Sequence, residues 1–282
     1  MIPKKNTAKD LWEPKRRIEV MYKKALRQIT KELEKKLAGL TDLKSILRTI
    51  KKFTKSKEFN EYAERSAMKM VTSLFSDAGK TWRQAARTNS KGKGIDEALK
   101  IELNGPIGKS INEQVKRNAK LIKSMPLNVG KDITKHVKEE TLKGRRSEFI
   151  AEDLQKEYPF MLENKAKLIA RTEVSKTSTA LNKARCDSIG INWYEWNTSE
   201  DGRVRSSHKH MDTVLINWDN PPSPEKLDGI KSKLGKYHAG CCPNCRCYPA
   251  PIVRLDFITW PHKVYYKNKI VTMTKKQFQE IM

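Results

Sequence analysis

Residues 237–247 read YHAGCCPNCRC and hold four of the five cysteines of this 282-residue chain. Cys242 and Cys245 have the C-x-x-C spacing that lets two thiolates reach one metal ion from a tight turn. Cys247 follows two residues later and can supply a third thiolate. Clustered cysteines indicate metal binding or redox chemistry in a reducing compartment, whereas a disulfide framework spreads its cysteines to join distant loops.

A tetrahedral site needs a fourth ligand from elsewhere. Residues 205–212 read RSSHKHMD and offer His208 or His210, with Asp212 as an outer possibility. Soft thiolates with an imidazole favour zinc over magnesium or calcium. Three cysteines and one histidine would close the zinc shell, so a structural site is expected rather than a catalytic one, which keeps a position open for water. A reduced thiol cluster without metal, and redox or disulfide chemistry, are the alternatives.

The chain before this cluster is predicted to be mostly helical. In residues 1–125, apolar residues recur at steps of three and four with lysines and glutamates between them, which is typical of amphipathic helices. Residues 125–130 read MPLNVG, and their proline and glycine predict a hinge. Pro159 is expected to mark a further boundary, before a long helix over 162–188.

The sequence changes in character after Gly190. Residues 191–196 alternate and are aromatic, which predicts a strand, and residues 264–266 and 270–272 predict a hairpin. We therefore predict an α+β protein, in which a long-helix N-terminal body precedes a small α+β module with a zinc-bound Cys/His cluster. The predicted divisions are a basic helical domain over 1–125, a helical linker region over 126–190 and the α+β module over 191–282.

The charge balance predicts a polyanionic partner. The chain has 58 Lys and Arg against 33 Asp and Glu, a net charge of +25, and residues 1–150 carry +19 of this surplus. Because no base-reading motif is evident, we expect non-specific binding of double-stranded DNA, mainly through residues 1–150. No run approaches the roughly 20 apolar residues of a membrane helix, and no apolar stretch follows the basic N-terminus. We therefore expect neither membrane spanning nor export.

Four short motifs follow one another in the second half of the chain. Residues 169–174 read IARTEV and contain Arg171 and Glu173, which lie two apart on a predicted helix and therefore need partners elsewhere, expected in the module. A strand-like stretch, GINWYEWNT, occupies 190–198. Next comes DGRVRSSH over 201–208, followed by Met-Asp, and finally CPNCRC. The polar residues of the third motif are Asp201, Arg203, Arg205 and Asp212.

In this order the motifs resemble the phage head morphogenesis family typified by phage Mu protein F, the minor capsid or minor head proteins. The family patterns are an I-A-R-T-E helix with the strand that follows it, then D-x-R-x-R-x-x-H with a hydrophobic-Asp-Gly step, and a terminal H-P-N-C-R-C. This chain has Thr213 in place of that glycine and Cys242 in place of that histidine. The second replacement conserves metal-ligand chemistry.

The resemblance implies both a ligand set and a role. Some members carry C-x-x-C where this chain has Arg205 and His208, so the implied zinc ligands are His208, Cys242, Cys245 and Cys247. The implied role is that of a low-copy, non-enzymatic head protein that joins the procapsid in the host cytoplasm and then lies in the virion interior. Its implied partners are the portal protein and double-stranded DNA, with scaffold or major capsid protein as further possibilities.

Two other classes of function are alternatives. A zinc-dependent nuclease or hydrolase could use His208 and Asp212, one helical turn apart, with the cysteine cluster. A host-type zinc-ribbon regulator should show two C-x-x-C halves or a recognition helix, and neither is evident in the sequence.

Overall fold

The structure, a computed structural model, describes residues 12–87 and 105–282, so the parts of the predicted 1–125 domain in 1–11 and 88–104 lie outside the described residues. The long helices are α1 (Arg16–Leu37), α2 (Leu43–Lys55), α3 (Lys57–Arg87), α4 (Pro106–Leu142) and α5 (Ser147–Ile189). The strands are β1 (Trp193–Asn197), β2 (Leu215–Asn217), β3 (Tyr248–Pro251), β4 (His262–Tyr266) and β5 (Lys269–Met273). The short helices are α6 (Ser206–His210), α7 (Pro224–Leu227) and α8 (Lys275–Gln279), with a 3₁₀ turn at Leu255–Phe257. The predicted α+β class is confirmed.

The chain forms two units of structure. Of the described residues, the helical unit comprises Arg16–Val71 and Glu113–Arg171, and the sheet unit comprises 12–15, 72–87, 105–112 and Thr172–Met282. The predicted divisions at 125 and 190 follow the order of the sequence, whereas these units interleave. They interleave because α3, α4 and α5 each contribute residues to both.

The helical unit is held by apolar faces with the expected helical period. On α1 the buried residues recur at steps of three and four, and α2 buries one face in the same way. They are Ile18, Tyr22, Leu26, Ile29, Leu33 and Leu37 of α1, with Ile46, Ile50 and Phe53 of α2. Polar contacts join the helices at the edge of this core. Arg27 forms a salt bridge with Glu163, and the Lys123 ammonium lies 2.7 Å from the Glu64 carboxylate.

The hinge predicted over 125–130 is wrong, because α4 runs without a break through Pro126 and Gly130. Met125, Val129 and Ile133 are fully buried along one face of α4. The free energy gained by burying them offsets the loss of the backbone hydrogen bond that a proline removes from a helix. A Cβ at Gly130 would lie 3.4 Å from side-chain atoms of α2, so the glycine serves a close approach of α2 to α4.

The boundary predicted at Pro159 is also wrong, because α5 is one helix of 43 residues. The flanking residues Tyr158 and Leu162 are buried, and tertiary packing again outweighs the local cost of proline. The predicted stop at Gly190 is confirmed, with a φ of +69° that a glycine adopts without strain.

The sheet unit contains a five-stranded sheet of order β3-β1-β2-β4-β5. Neighbouring strands are antiparallel except β2 and β4, which pair in parallel at Leu215 and Val264. The predicted hairpin is confirmed as β4–β5, turned by Lys267 and Asn268 with positive φ. Thr274 caps α8 in a capping box with Gln277.

Successive side chains of β1 point to opposite faces of this sheet. Tyr194 and Trp196 enter the core that also contains the buried cysteines. Trp193 enters a second core with Leu215 and Phe278, the latter from α8. The first face positions the candidate site. Over the described residues, no helix has the length and apolarity needed to cross a membrane.

Candidate metal centre

Helix α6 places His208 against the cysteine loop, residues 237–247. The imidazole Nδ1 lies 3.4 Å from Cys245 Sγ and 3.4 Å from Cys247 Sγ. All three side chains are buried, with 2–5% of each residue exposed. Their donor atoms lie within 4.8 Å of one another, which is close enough to hold one metal ion.

A second group of donors shares the same imidazole. His208, Cys242 and Glu225 also have ligand atoms within 4.8 Å of one another. The structure therefore gathers the three predicted thiol ligands around His208, but it groups Cys242 with Glu225 rather than with the other two thiols. Of the two histidine candidates, His210 faces away, and its Nδ1 lies 3.6 Å from Asp228.

A chain of hydrogen bonds orients the His208 ring. Tyr237 donates its hydroxyl to Glu225 Oε1 at 2.7 Å, so its oxygen accepts from His208 Nε2–H at 2.9 Å. In the neutral ring this arrangement leaves the Nδ1 lone pair directed at the sulfurs of Cys245 and Cys247. Metal-binding histidines commonly use such a partner on the second nitrogen to fix the tautomer. The geometry therefore fits a ligand histidine.

The donor set also carries the charge that a cation requires. The hydrogen bond with Cys247 lowers the pKa of Cys245 to about 5 against the opposing effect of burial, and His208 contributes to the lowering. Burial by itself would lower the pKa of His208, but hydrogen bonds to Cys242 and Cys245 outweigh it and raise the pKa to about 9. Among the described groups, Glu225 Oε2 is buried without a hydrogen-bond partner. A thiolate and a buried carboxylate thus lie beside one buried imidazole.

Three hydroxyls on one face of α5 hold the backbone of the cysteine loop, at positions i, i+3 and i+7. The contacts are Thr172 Oγ1 accepting from the Asn244 N–H (2.9 Å), Ser175 Oγ donating to the Cys245 carbonyl (3.1 Å) and Thr179 Oγ1 donating to the Ala239 carbonyl (2.8 Å). Because a buried backbone group without a partner is costly, these hydroxyls allow an irregular loop to be buried. None of the three was singled out from the sequence, although their helical spacing is visible there.

Two polar residues of the third sequence motif, Arg205 and Asp212, hold the segments of the site together. Arg205 donates from Nη1 to Cys242 Sγ at 3.0 Å and from Nη2 to the Pro243 carbonyl at 2.9 Å. Asp212 Oδ1 accepts from the backbone and hydroxyl of Thr198, at 2.8 and 3.0 Å. These contacts join the segment around α6 to the cysteine loop and to the end of β1.

The other two polar residues of that motif, Asp201 and Arg203, lie at the rim of the site. Asp201 Oδ2 lies 3.4 Å from Arg246 of the cysteine loop. Arg203 is exposed and donates its backbone N–H to Asp201 Oδ1 at 3.0 Å.

Arg171 and Glu173 fall in different units. Within the helical unit, Arg171 Nε lies 3.6 Å from Glu19 of α1, a partner outside the module in which one was expected. Within the sheet unit, Glu173 is buried with its carboxylate 3.9 Å from Lys176.

Sequence reasoning missed Glu225 and Tyr237. Tyr237 opens the cysteine-rich stretch, so its proximity to the cysteines was visible, but its role depends on where α6 places His208. In the sequence, Glu225 lies in a proline-containing stretch with no motif around it. Only the folded chain brings its carboxylate within 3.8 Å of the His208 ring.

Gly240 lies where the cysteine loop approaches α5 closely. Its φ is +81°, and a Cβ there would lie 2.8 Å from the Cys247 carbonyl oxygen and 2.9 Å from Thr179 Oγ1. Gly240→Ala should therefore add overpacking, roughly 1–3 kcal/mol, to the roughly 1–2 kcal/mol cost of a left-handed alanine. The free energy of unfolding, measured by denaturant titration, should fall by about 2–5 kcal/mol.

Gly235→Ala is the matched control for this prediction. Gly235 has a similar φ of +69°, but a Cβ there would meet nothing within 4 Å. It should lose only the backbone cost, about 1–2 kcal/mol. Equal losses for the two variants would contradict the tight packing of Gly240 on α5.

Comparisons with known proteins agree with the motifs. The chain is 27% identical over 236 residues to an uncharacterized protein of Haemophilus influenzae; the alignment covers 83% of this chain and 48% of that protein. The chain thus spans about half the length of this curated relative. No solved structure matches the chain described here. Residues 131–249 match the family model described as Phage Mu protein F like protein, which confirms the predicted resemblance over this region.

Proposed function

We propose that the chain is a structural head morphogenesis protein, carried inside the phage head, with a zinc ion in its Cys/His cluster and DNA on its basic surface. The family match over 131–249 carries the proposal, because it covers His208 and the whole cysteine loop. Contact with the portal, and with scaffold or major capsid protein during assembly, is the part that rests on the resemblance alone.

Zinc is the metal that this donor set suits best. The proposed ligands are His208, Cys242, Cys245 and Cys247, because three thiolates and an imidazole complete a tetrahedral zinc shell. Glu225 is the competing oxygen donor beside Cys242. Zinc bound there would supply a cross-link between α6 and the cysteine loop. Tyr237 would keep the His208 ring oriented for it.

Burial supports a structural rather than a catalytic site. The His208 and cysteine donors have at most 5% of their surface exposed. A catalytic zinc needs an open position for water and access for a substrate. A closed, buried shell serves stability, and we therefore propose that the chain is not an enzyme and that a nuclease or hydrolase is the weaker candidate.

Cys245→Ser should release the metal and loosen the sheet unit. A hydroxyl is a poor zinc ligand, and the thiolate that faces His208 would be lost. Zinc content measured by elemental analysis should fall from about one ion per chain to near zero. Limited proteolysis should become faster in the loop over 218–240, while the helical circular dichroism signal stays close to that of the unchanged protein.

Cys241→Ser is the control for the metal prediction. Cys241 is adjacent in sequence and half-buried, yet it belongs to neither group of metal-capable donors. It should keep its zinc and its protease resistance. A protein purified without chelators that contains no zinc, or equal zinc in the two variants, would count against the proposed site.

The proposed location can be tested in the particle. In purified heads of the phage that encodes this chain, mass spectrometry should detect the chain in few copies. Added protease should spare it in intact heads and digest it once the heads are opened. If the chain is missing from purified heads, or is digested in intact ones, it does not work in the head interior.

The proposed DNA binding should depend steeply on salt. Lysine and arginine contacts with phosphates release counterions, so affinity for double-stranded DNA should fall by orders of magnitude between roughly 50 and 200 mM salt. Fluorescence anisotropy of labelled duplexes should give similar affinities for unrelated sequences. Affinity that does not change with salt would contradict the proposal, and so would a strong preference for one sequence.

A further inference from the structure

Helix α2 (Leu43–Lys55), in the helical unit, carries basic residues and no acidic residue. All of its basic residues are exposed, and together they form what we name the α2 basic stripe. These residues are Lys44, Arg48, Lys51, Lys52 and Lys55.

The stripe follows one face of the helix. At 3.6 residues per turn, positions 44, 48, 51 and 55 fall within an arc of about 60°, and position 52 widens it to about 100°. The stripe extends about 16 Å along the helix axis at a rise of about 1.5 Å per residue. Ile46, Ile50 and Phe53 are buried on the opposite face. The packing of α2 in the core therefore fixes the direction in which the cations point.

Some basic residues of the helical unit pair with carboxylates, and in the described part of the chain those of the stripe are not among them. Over the described residues, none of its five side chains has a carboxylate within 4.0 Å, whereas Lys123 and Lys167 pair with glutamates at 2.7 and 3.0 Å. Asp42 caps α2, and its carboxylate accepts from the Ser45 N–H at 2.8 Å. Acidic side chains lie near the stripe in two places: Asp42, which interacts electrostatically with Arg48, and Glu32 and Glu58, which line a cavity with Lys52.

We propose that the α2 basic stripe is a binding surface for the phosphate backbone of double-stranded DNA. Charge complementarity supports this occupant, because each strand carries one phosphate per roughly 3.4 Å of helix axis and a cation row about 16 Å long can contact several of them. A membrane surface fits less well. An interfacial helix inserts its apolar face into lipid, and the apolar face of α2 is buried in the protein.

This inference rests on the DNA binding of the proposed function and names the surface responsible. The test uses the full chain with Arg48→Gln, Lys51→Gln and Lys55→Gln combined. Glutamine keeps helix propensity while it removes three charges. The matched control combines Lys226→Gln, Lys231→Gln and Lys233→Gln, which removes three charges from exposed positions of the sheet unit.

Binding of both variants and the unchanged protein to one duplex is measured at several salt concentrations between about 50 and 200 mM. Each lost phosphate contact should reduce the slope of log affinity against log salt by about 0.9, so the stripe variant should lose about 2.7 from the magnitude of the slope. The control should keep a slope close to that of the unchanged protein. Equal slopes for the two variants would overturn the inference and leave the proposed DNA binding intact.

Two further results separate the remaining outcomes. If the unchanged protein does not bind duplex DNA at low salt, the DNA part of the proposed function fails, and the assignment of the stripe fails with it. Vesicles containing phosphatidylserine test the other polyanion. Vesicle binding that the stripe variant loses, combined with unchanged DNA binding, would overturn the proposal in favour of a lipid surface.

Discussion

His208 is buried, so both of its ring nitrogens need polar partners. Those partners link three segments of the sheet unit. Nδ1 faces the sulfurs of Cys245 and Cys247, while Nε2 binds Tyr237 and, through it, Glu225 of α7. A buried polar group that loses its partner costs about 1–3 kcal/mol, so the positions of α6, α7 and the cysteine loop depend on one another. The arrangement would be under-packed and electrostatically unfavourable if any of these segments moved alone.

The structure explains why two motifs more than 60 residues apart occur in the same chain. Thr172 belongs to the IARTEV stretch, and Asn244 belongs to CPNCRC. A single hydrogen bond of 2.9 Å joins them, from the Asn244 N–H to Thr172 Oγ1. Asn244 has a φ of +59°, a left-handed conformation that asparagine adopts more readily than most residues. The helix motif therefore acts as a scaffold for the turn that carries the thiols.

The sequence predicted the features of this protein that depend on neighbouring residues. The C-x-x-C spacing, the β4–β5 hairpin and the stop at Gly190 are local, and each has a local physical cause. The same reasoning failed at Pro126 and Pro159, because the buried faces of α4 and α5 outweigh what a proline costs locally. Glu225 could not be predicted as a site residue, because local sequence carries no information about its position. Its proximity to His208 arises from tertiary structure, and the residues around it in sequence give no sign of it.

The mixed pairing of the sheet has a consequence for the speed of folding. Strand β1 pairs with β2 about 20 residues away, but its other neighbour, β3, begins some 50 residues further along the chain. The parallel β2–β4 pair likewise closes a long connection that contains the whole cysteine loop. Closing such loops costs entropy before the contacts repay it, so high contact order slows folding. We therefore expect the β1–β2 pair to form early and the cysteine loop to dock on α5 late, and until then the thiols face solvent in the newly made chain.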